Sequence, residues 1–110
     1  MISLSTHVLD TARGKPAAHV EITLADAAGT PLFVGETDAD GRCKSFPGLA
    51  AGRYRLTFAV GTYFAGQGVA LTDPPFLDVI GLEFGLSGTE GHYHVPLLVS
   101  PYGYSTYRGS

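Results

Sequence analysis

The segment ISLSTHVL, residues 2–9, alternates between two kinds of side chain and decides the class of fold. Ile2, Leu4, Thr6 and Val8 occupy every second position, so in a β-strand they share one face. Helical spacing, with apolar residues every three or four positions, is almost absent from the chain. The sequence therefore predicts an all-β protein whose strands each bury one face.

The same alternation recurs along the chain, with turn residues between the segments. The alternating apolar positions are Val20, Ile22 and Leu24; Tyr54, Leu56, Phe58 and Val60; and Ile80, Leu82, Phe84 and Leu86. Turns are predicted at residues 28–31, 40–41, 47–48 and 88, where Gly, Pro and Asp cluster. About eight strands at this spacing favour two facing sheets, although a closed barrel is also compatible.

One segment has helical character. Residues 62–67 can form a short helical turn, and the sequence TDPP at residues 72–75 prevents any longer helix because proline lacks an amide donor. We therefore expect a single short helix in an otherwise β-structured chain.

Length, composition and charge limit the possible functions. The 110 residues are 45% hydrophobic and 15% charged, which predicts one domain over residues 1–110. A net charge of −3 without a basic cluster argues against a nucleic-acid partner. No apolar run approaches the ~20 residues that span a bilayer, and the first residues do not resemble a signal peptide. We expect a cytoplasmic protein, in agreement with its single cysteine, Cys43.

Three histidines are candidates for chemistry. In HYHVPLLV, residues 92–99, the alternation turns His92 and His94 away from the core, and His7 faces outward on the first strand. Apolar neighbours such as Leu9 and Leu98 on this outer face indicate a subunit interface. A neutral imidazole, with a pKa near ~6.5, can take a proton from water and return it to a leaving nitrogen. The pattern is therefore compatible with hydrolysis.

The residues alone leave alternatives open. His7, His92 and His94 could be surface histidines, or could bind zinc with an open fourth position, although no carboxylate partner for them is evident. Cys43 could be a nucleophile, but a lone strand cysteine is more often a small buried side chain. The segment at residues 36–41 imitates the start of a calcium loop, but Pro47 stands where a bidentate Glu is needed, so a turn is favoured.

Four motifs together resemble those of the 5-hydroxyisourate hydrolases, a branch of the transthyretin-like family. They are LSTHVLD at residues 4–10, TDADGRC at 37–43, HYHVPLL at 92–98 and YRGS at 107–110. The resemblance implies a transthyretin-like (prealbumin-like) eight-stranded β-sandwich with one short helix. It also implies a homotetramer, a dimer of dimers, with active sites in the channel where the dimers meet.

The resemblance further implies an enzyme of urate degradation. The substrate would be 5-hydroxyisourate and the product 2-oxo-4-hydroxy-4-carboxy-5-ureidoimidazoline, formed without metal or cofactor. The catalytic set would be His7, Arg42, His94 and Ser110, and substrate binding would involve His7, Arg42, Tyr107 and Arg108. His92 matches the motif but is not expected in the catalytic set. The carrier branch of the family lacks the two catalytic histidines and the terminal motif, so we expect an enzyme, with a small-ligand carrier as the alternative.

Overall fold

The computed structural model describes residues 1–109, which form two β-sheets and one short helix. The strands are β1 (Ile2–Asp10), β2 (Lys15–Pro16), β3 (Glu21–Asp26), β4 (Pro31–Glu36), β5 (Arg42–Cys43), β6 (Gly52–Ala59), β7 (Val79–Leu86), β8 (Gly91–His94), β9 (Leu97–Ser100) and β10 (Gly103–Thr106), and the helix is α1 (Val60–Gly66). The predicted all-β sandwich with one helix is confirmed. Two of its strands, β2 and β5, have only two residues each, too few for an alternating pattern to reveal them.

The first sheet is organised around β1. The first half of β1 pairs in parallel with β8, and its second half pairs in parallel with β9. Pro96 lies between these two pairings, and because proline has no amide hydrogen it interrupts the ladder there. On its other side β1 pairs with β5 and then β2, while β10 adds to β9. β1 thus lies between β8 and β5, and its outward-facing side chains neighbour those of both strands.

The second sheet has the antiparallel order β4-β3-β6-β7, and its apolar face packs against that of the first sheet. The predicted inward residues of β1 are almost inaccessible, at 0–2% exposure. The largest completely enclosed side chains of the core are Phe58, Phe64, Ile2, Ile22, Leu24, Leu56 and Leu97. The alternation therefore identified the inner faces correctly, including the polar Thr6.

Helix α1 follows β6 without a loop and packs onto the core. It begins at Val60, two residues before the predicted segment, because Val60 continues the buried face of β6. It ends at Gly66, ahead of the TDPP segment that was expected to limit it. Tyr63 in the helix donates a hydrogen bond of 2.9 Å to the buried carboxylate of Asp10, which ties the helix to the end of β1.

Within residues 1–109, we find no helix with the length and apolar character needed to cross a membrane.

Candidate active site

Three of the predicted site residues share the outer face of the first sheet. His7 on β1 is the register partner of Arg42 on β5, and directly opposed residues in an antiparallel pair point to the same side. His94 on β8 is the parallel partner of Ser5, two residues before His7 on the same face. A shallow pocket of about 320 Å³ here is lined by Arg42, His94 and the neighbouring His92.

The turn before β5 positions Arg42. The Asp38 carboxylate accepts hydrogen bonds of 2.9 Å from the amides of Asp40 and Arg42, and these bonds, led by that from Arg42, lower the pKa of Asp38. Gly41 adopts a left-handed conformation (φ +75°), and a Cβ there would lie 2.5 Å from the carbonyl oxygen of Val8. Residues 37–41, within the segment that imitates a calcium loop, thus form a turn that holds Arg42 beside β1.

His7 is oriented by the same turn. Its Nε2 lies 2.9 Å from the carbonyl oxygen of Asp40, and because a carbonyl only accepts, Nε2 carries a proton. Neutral His7 therefore has its lone pair on Nδ1. The side chain of His7 is half-buried and lies beside Arg42 of β5.

His94 is held by a contact with β1. Its ring is half-buried, and Nδ1 lies 2.7 Å from Oγ of Ser5. Burial lowers the pKa of His94 below the usual 6.5, and the charges of His7, Arg42 and His92 lower it further. The imidazole is therefore neutral at neutral pH and able to accept a proton.

Two serines of β1 were missed by the sequence analysis. Ser3 and Ser5 face outward on β1, and the hydroxyl of Ser5 contacts both His92, at 2.9 Å, and His94. Their alternate positions place them on the same face as His7, but only the β1–β8 register shows that they meet the histidines. The register is the information that the alternation lacks.

The described part of the terminal motif is divided: Gly109 forms a bridge with His94, whereas Tyr107 and Arg108 lie at a different cleft. The guanidinium carbon of Arg108 is 3.9 Å from the centre of the Tyr93 ring, a cation–π contact. Tyr107 is 60% exposed and lines, with Arg108, a cleft of about 490 Å³ that also contains Leu82 and Phe84 of β7. Within residues 1–109, Tyr107 and Arg108 line this cleft and not the pocket at His92 and His94, so their role in substrate binding stays a prediction. Ser110 lies outside the described residues.

The zinc and cysteine alternatives gain no support from the geometry. Within residues 1–109, no three His, Cys, Asp or Glu side chains are arranged as metal ligands, and Ser5 occupies the space between the facing nitrogens of His92 and His94. Cys43 is 6% exposed and opposes the inward-facing Thr6. Burial raises the pKa of its thiol, which disfavours the nucleophilic thiolate.

Comparisons with known proteins identify related sequences and structures. A sequence model described as "HIUase/Transthyretin family" matches residues 4–109. The 5-hydroxyisourate hydrolase of Caulobacter vibrioides is 52% identical, with both chains covered completely. The structure of Klebsiella pneumoniae 5-hydroxyisourate hydrolase superposes with a TM-score of 0.87 at 38% identity, over 100% of both chains. Transthyretin from Sparus aurata gives a TM-score of 0.84 at 32% identity, over 97% of this chain and 96% of the other.

Proposed function

Because the chain belongs to the HIUase/Transthyretin family, we propose that it is an enzyme that hydrolyses 5-hydroxyisourate in urate degradation. The product is 2-oxo-4-hydroxy-4-carboxy-5-ureidoimidazoline, formed by opening the six-membered ring. The observation that carries the proposal is the placing of His7, Arg42 and His94 on one sheet face. This set combines two proton-transfer groups with a fixed positive charge, as hydrolysis of a cyclic amide requires.

The reaction needs one proton acceptor and one proton donor. Water adds through its oxygen to the ring carbonyl carbon, and its proton passes to a neutral histidine, either His7 or His94. The carbon–nitrogen bond then breaks, and the departing nitrogen receives a proton from the other histidine, which acts in its protonated form. Transfer of the proton taken from water to this second histidine restores both groups for the next turnover. Such acid–base assistance is typically worth about 10²–10⁴ in rate.

Arg42 supplies the electrostatic part of the mechanism. Its guanidinium is always charged and forked, so it can hold the substrate's oxygens and stabilise the oxyanion that develops as water adds. The hydrogen-bonded turn at Asp38 and Gly41 fixes the backbone from which Arg42 extends. Preorganisation of this kind means that little reorganisation is needed when charge develops.

We also propose a homotetramer, a dimer of dimers, in which the site lies between dimers. In residues 1–109, β7 and β10 each pair on one side only, so each sheet has an edge that a second copy can extend. Leu9 and Leu98, paired in register on the outer face of the first sheet, give that face apolar character beside the histidines. Closure by another copy would exclude water from the shallow pocket and could bring Tyr107, Arg108 and Ser110 to it.

A cytoplasmic location is part of this proposal, in line with the unpaired Cys43.

The deciding experiment generates 5-hydroxyisourate in place from urate and urate oxidase and follows its disappearance by absorbance. Wild type should accelerate the decay, and His7→Asn and His94→Asn should each lose about 100-fold or more in kcat. His19→Asn is the matched control, because His19 has a left-handed backbone (φ +61°) that asparagine tolerates. Within residues 1–109, its side chain pairs only with the exposed Glu36. Unchanged decay with a folded wild-type tetramer would favour the carrier alternative. Wild-type rates in both site variants would refute the proposed acid–base pair.

A further inference from the structure

Two serines of β1 and two histidines of β8 form a continuous chain of hydrogen bonds. Oγ of Ser3 lies 2.6 Å from Nδ1 of His92, and Nε2 of His92 lies 2.9 Å from Oγ of Ser5. Oγ of Ser5 also lies 2.7 Å from Nδ1 of His94. The parallel register pairs Ser3 with His92 and Ser5 with His94, so the sheet itself aligns the four side chains.

The direction of this chain depends on where Ser3 donates its single hydroxyl proton. Oγ of Ser3 lies 3.3 Å from the carbonyl oxygen of Gly91, and when Ser3 donates there, its oxygen accepts from Nδ1–H of His92. A neutral imidazole has one ring proton, which leaves Nε2 of His92 to accept from the Ser5 hydroxyl. Ser5 has then used its own proton, and its oxygen accepts from Nδ1–H of His94.

We propose that Ser5 and His92 are positioning residues that hold neutral His94 with its proton on Nδ1, leaving Nε2 as the atom that takes the proton from water. The proposal rests on the hydrolase function proposed above and deepens it, because it assigns the base and its reacting nitrogen. Among residues 1–109, no group forms a hydrogen bond with Nε2 of His94, so that nitrogen is available.

The two site histidines are thereby held in opposite ways. His7 donates from Nε2 to the carbonyl of Asp40, whereas in the proposed arrangement His94 donates from Nδ1 to Ser5, 2.7 Å away. A histidine's tautomer is set by the hydrogen bond that its second nitrogen makes. The lowered pKa of His94 keeps the ring neutral, and only a neutral imidazole has two alternative tautomers. Removing the Ser5 hydroxyl removes the acceptor that holds the proton on Nδ1.

The first test measures the tautomer directly in the complete, folded protein. Nitrogen-15 spectra of labelled histidine rings distinguish protonated from unprotonated ring nitrogens, and His94→Gln assigns the His94 signals. Wild type should show Nε2 of His94 unprotonated, and Ser5→Ala should move proton occupancy towards Nε2. Ser5→Thr keeps the hydroxyl and should restore the wild-type pattern. A His94 proton on Nε2 in wild type, or an unchanged pattern in Ser5→Ala, would overturn the proposal.

The second test separates positioning from general destabilisation. Ser5→Ala should lower kcat about tenfold with KM changed less than about twofold, and Ser5→Thr should stay within about twofold of wild type in kcat. Ser100→Ala is the matched control, since Ser100 is a serine of β9 whose hydroxyl donates to the Gly103 carbonyl and contacts no histidine. Equal kcat in Ser5→Ala and Ser100→Ala would overturn the positioning role.

The outcomes of the two tests distinguish a wrong function from a wrong positioning role. If wild type does not hydrolyse 5-hydroxyisourate while its spectra show the expected tautomer, the proposed function is refuted and the hydrogen-bond assignment stands. If wild type is active while Ser5→Ala matches it in both kcat and ring spectra, the hydrolase function stands and the positioning role is refuted.

Discussion

Gly109 packs directly against the ring of His94. Its amide donates a hydrogen bond of 2.7 Å to the carbonyl oxygen of His94, and a Cβ at residue 109 would lie 2.8 Å from Cδ2 of that ring. Real Cβ atoms essentially never approach another heavy atom so closely, so any side chain at this position must displace the ring. The final described residue therefore helps to define the orientation of His94.

Gly109→Ala should lower the activity by moving His94. We expect kcat to fall about tenfold, with the fold retained, because a shift of about 1 Å in a catalytic group can cost much of its effect. The measurement is kcat for 5-hydroxyisourate hydrolysis together with the ring spectrum of His94. Gly103→Ala is the control, since the nearest atom to its added Cβ would be 3.8 Å away. If both variants have the same kcat, the contact at Gly109 does not position the base.

The sequence predicted the inner faces well because alternation reports burial directly. Val20, just before β3, and Ile22 and Leu24 on β3 are 0–1% exposed, as their spacing required. The two-residue strand β5 has no such pattern, and its pairing with β1 depends on the turn at Asp38. Short edge elements of this kind are fixed by tertiary hydrogen bonds, which local sequence does not encode.

For the site, the alternation predicted which way the histidines point but not which residues they contact. Alternation turned His7, His92 and His94 outward, and the structure places them on one face. The contact of Ser5 with His94 joins residues 89 positions apart, and no local pattern specifies such a register. The match to the terminal motif likewise did not show that Arg108 stacks on Tyr93 within the chain.

Replacement of Arg42 should damage turnover severely. Arg42→Gln should lower kcat/KM by about 100-fold, because the fixed charge that stabilises the oxyanion is lost. Arg42→Lys should recover part of this loss, since an ammonium keeps the charge without the bidentate fork. Arg53→Gln is the control, as Arg53 is an exposed arginine of β6 in the other sheet. Equal kcat/KM in Arg42→Gln and Arg53→Gln would show that Arg42 has no part in the reaction.

Cys43→Ala should leave catalysis almost unchanged. The thiol is buried among core residues with a raised pKa, so we expect kcat within about twofold of wild type and a loss of about 1 kcal/mol in the free energy of unfolding. Kinetics and denaturant unfolding measure the two quantities. A loss of kcat beyond about tenfold with unchanged stability would instead support a nucleophilic thiol.

The pH dependence should report the lowered pKa of His94. The base acts when neutral, so kcat/KM should fall as the pH drops through the pKa of His94, and this acid limb should lie below 6.5. An NMR titration of the His94 ring measures the same midpoint without substrate. A wild-type midpoint at or above 6.5 would contradict the combined effect of burial and the surrounding positive charges.

Removing one of those charges should shift the midpoint in a known direction. Burial, His7 from β1, Arg42 from β5 and His92 from β8 all disfavour protonated His94. Arg42→Gln removes one cation, so the imidazolium becomes easier to form and the midpoint should rise, yet stay below 6.5 because burial remains. Arg53→Gln removes an equal charge from the other sheet and should leave the midpoint unchanged. A midpoint that rises in Arg42→Gln but not in Arg53→Gln requires Arg42 to lie near His94. The titration therefore tests how β1, β5 and β8 are arranged, and it does so even in a variant too inactive to assay.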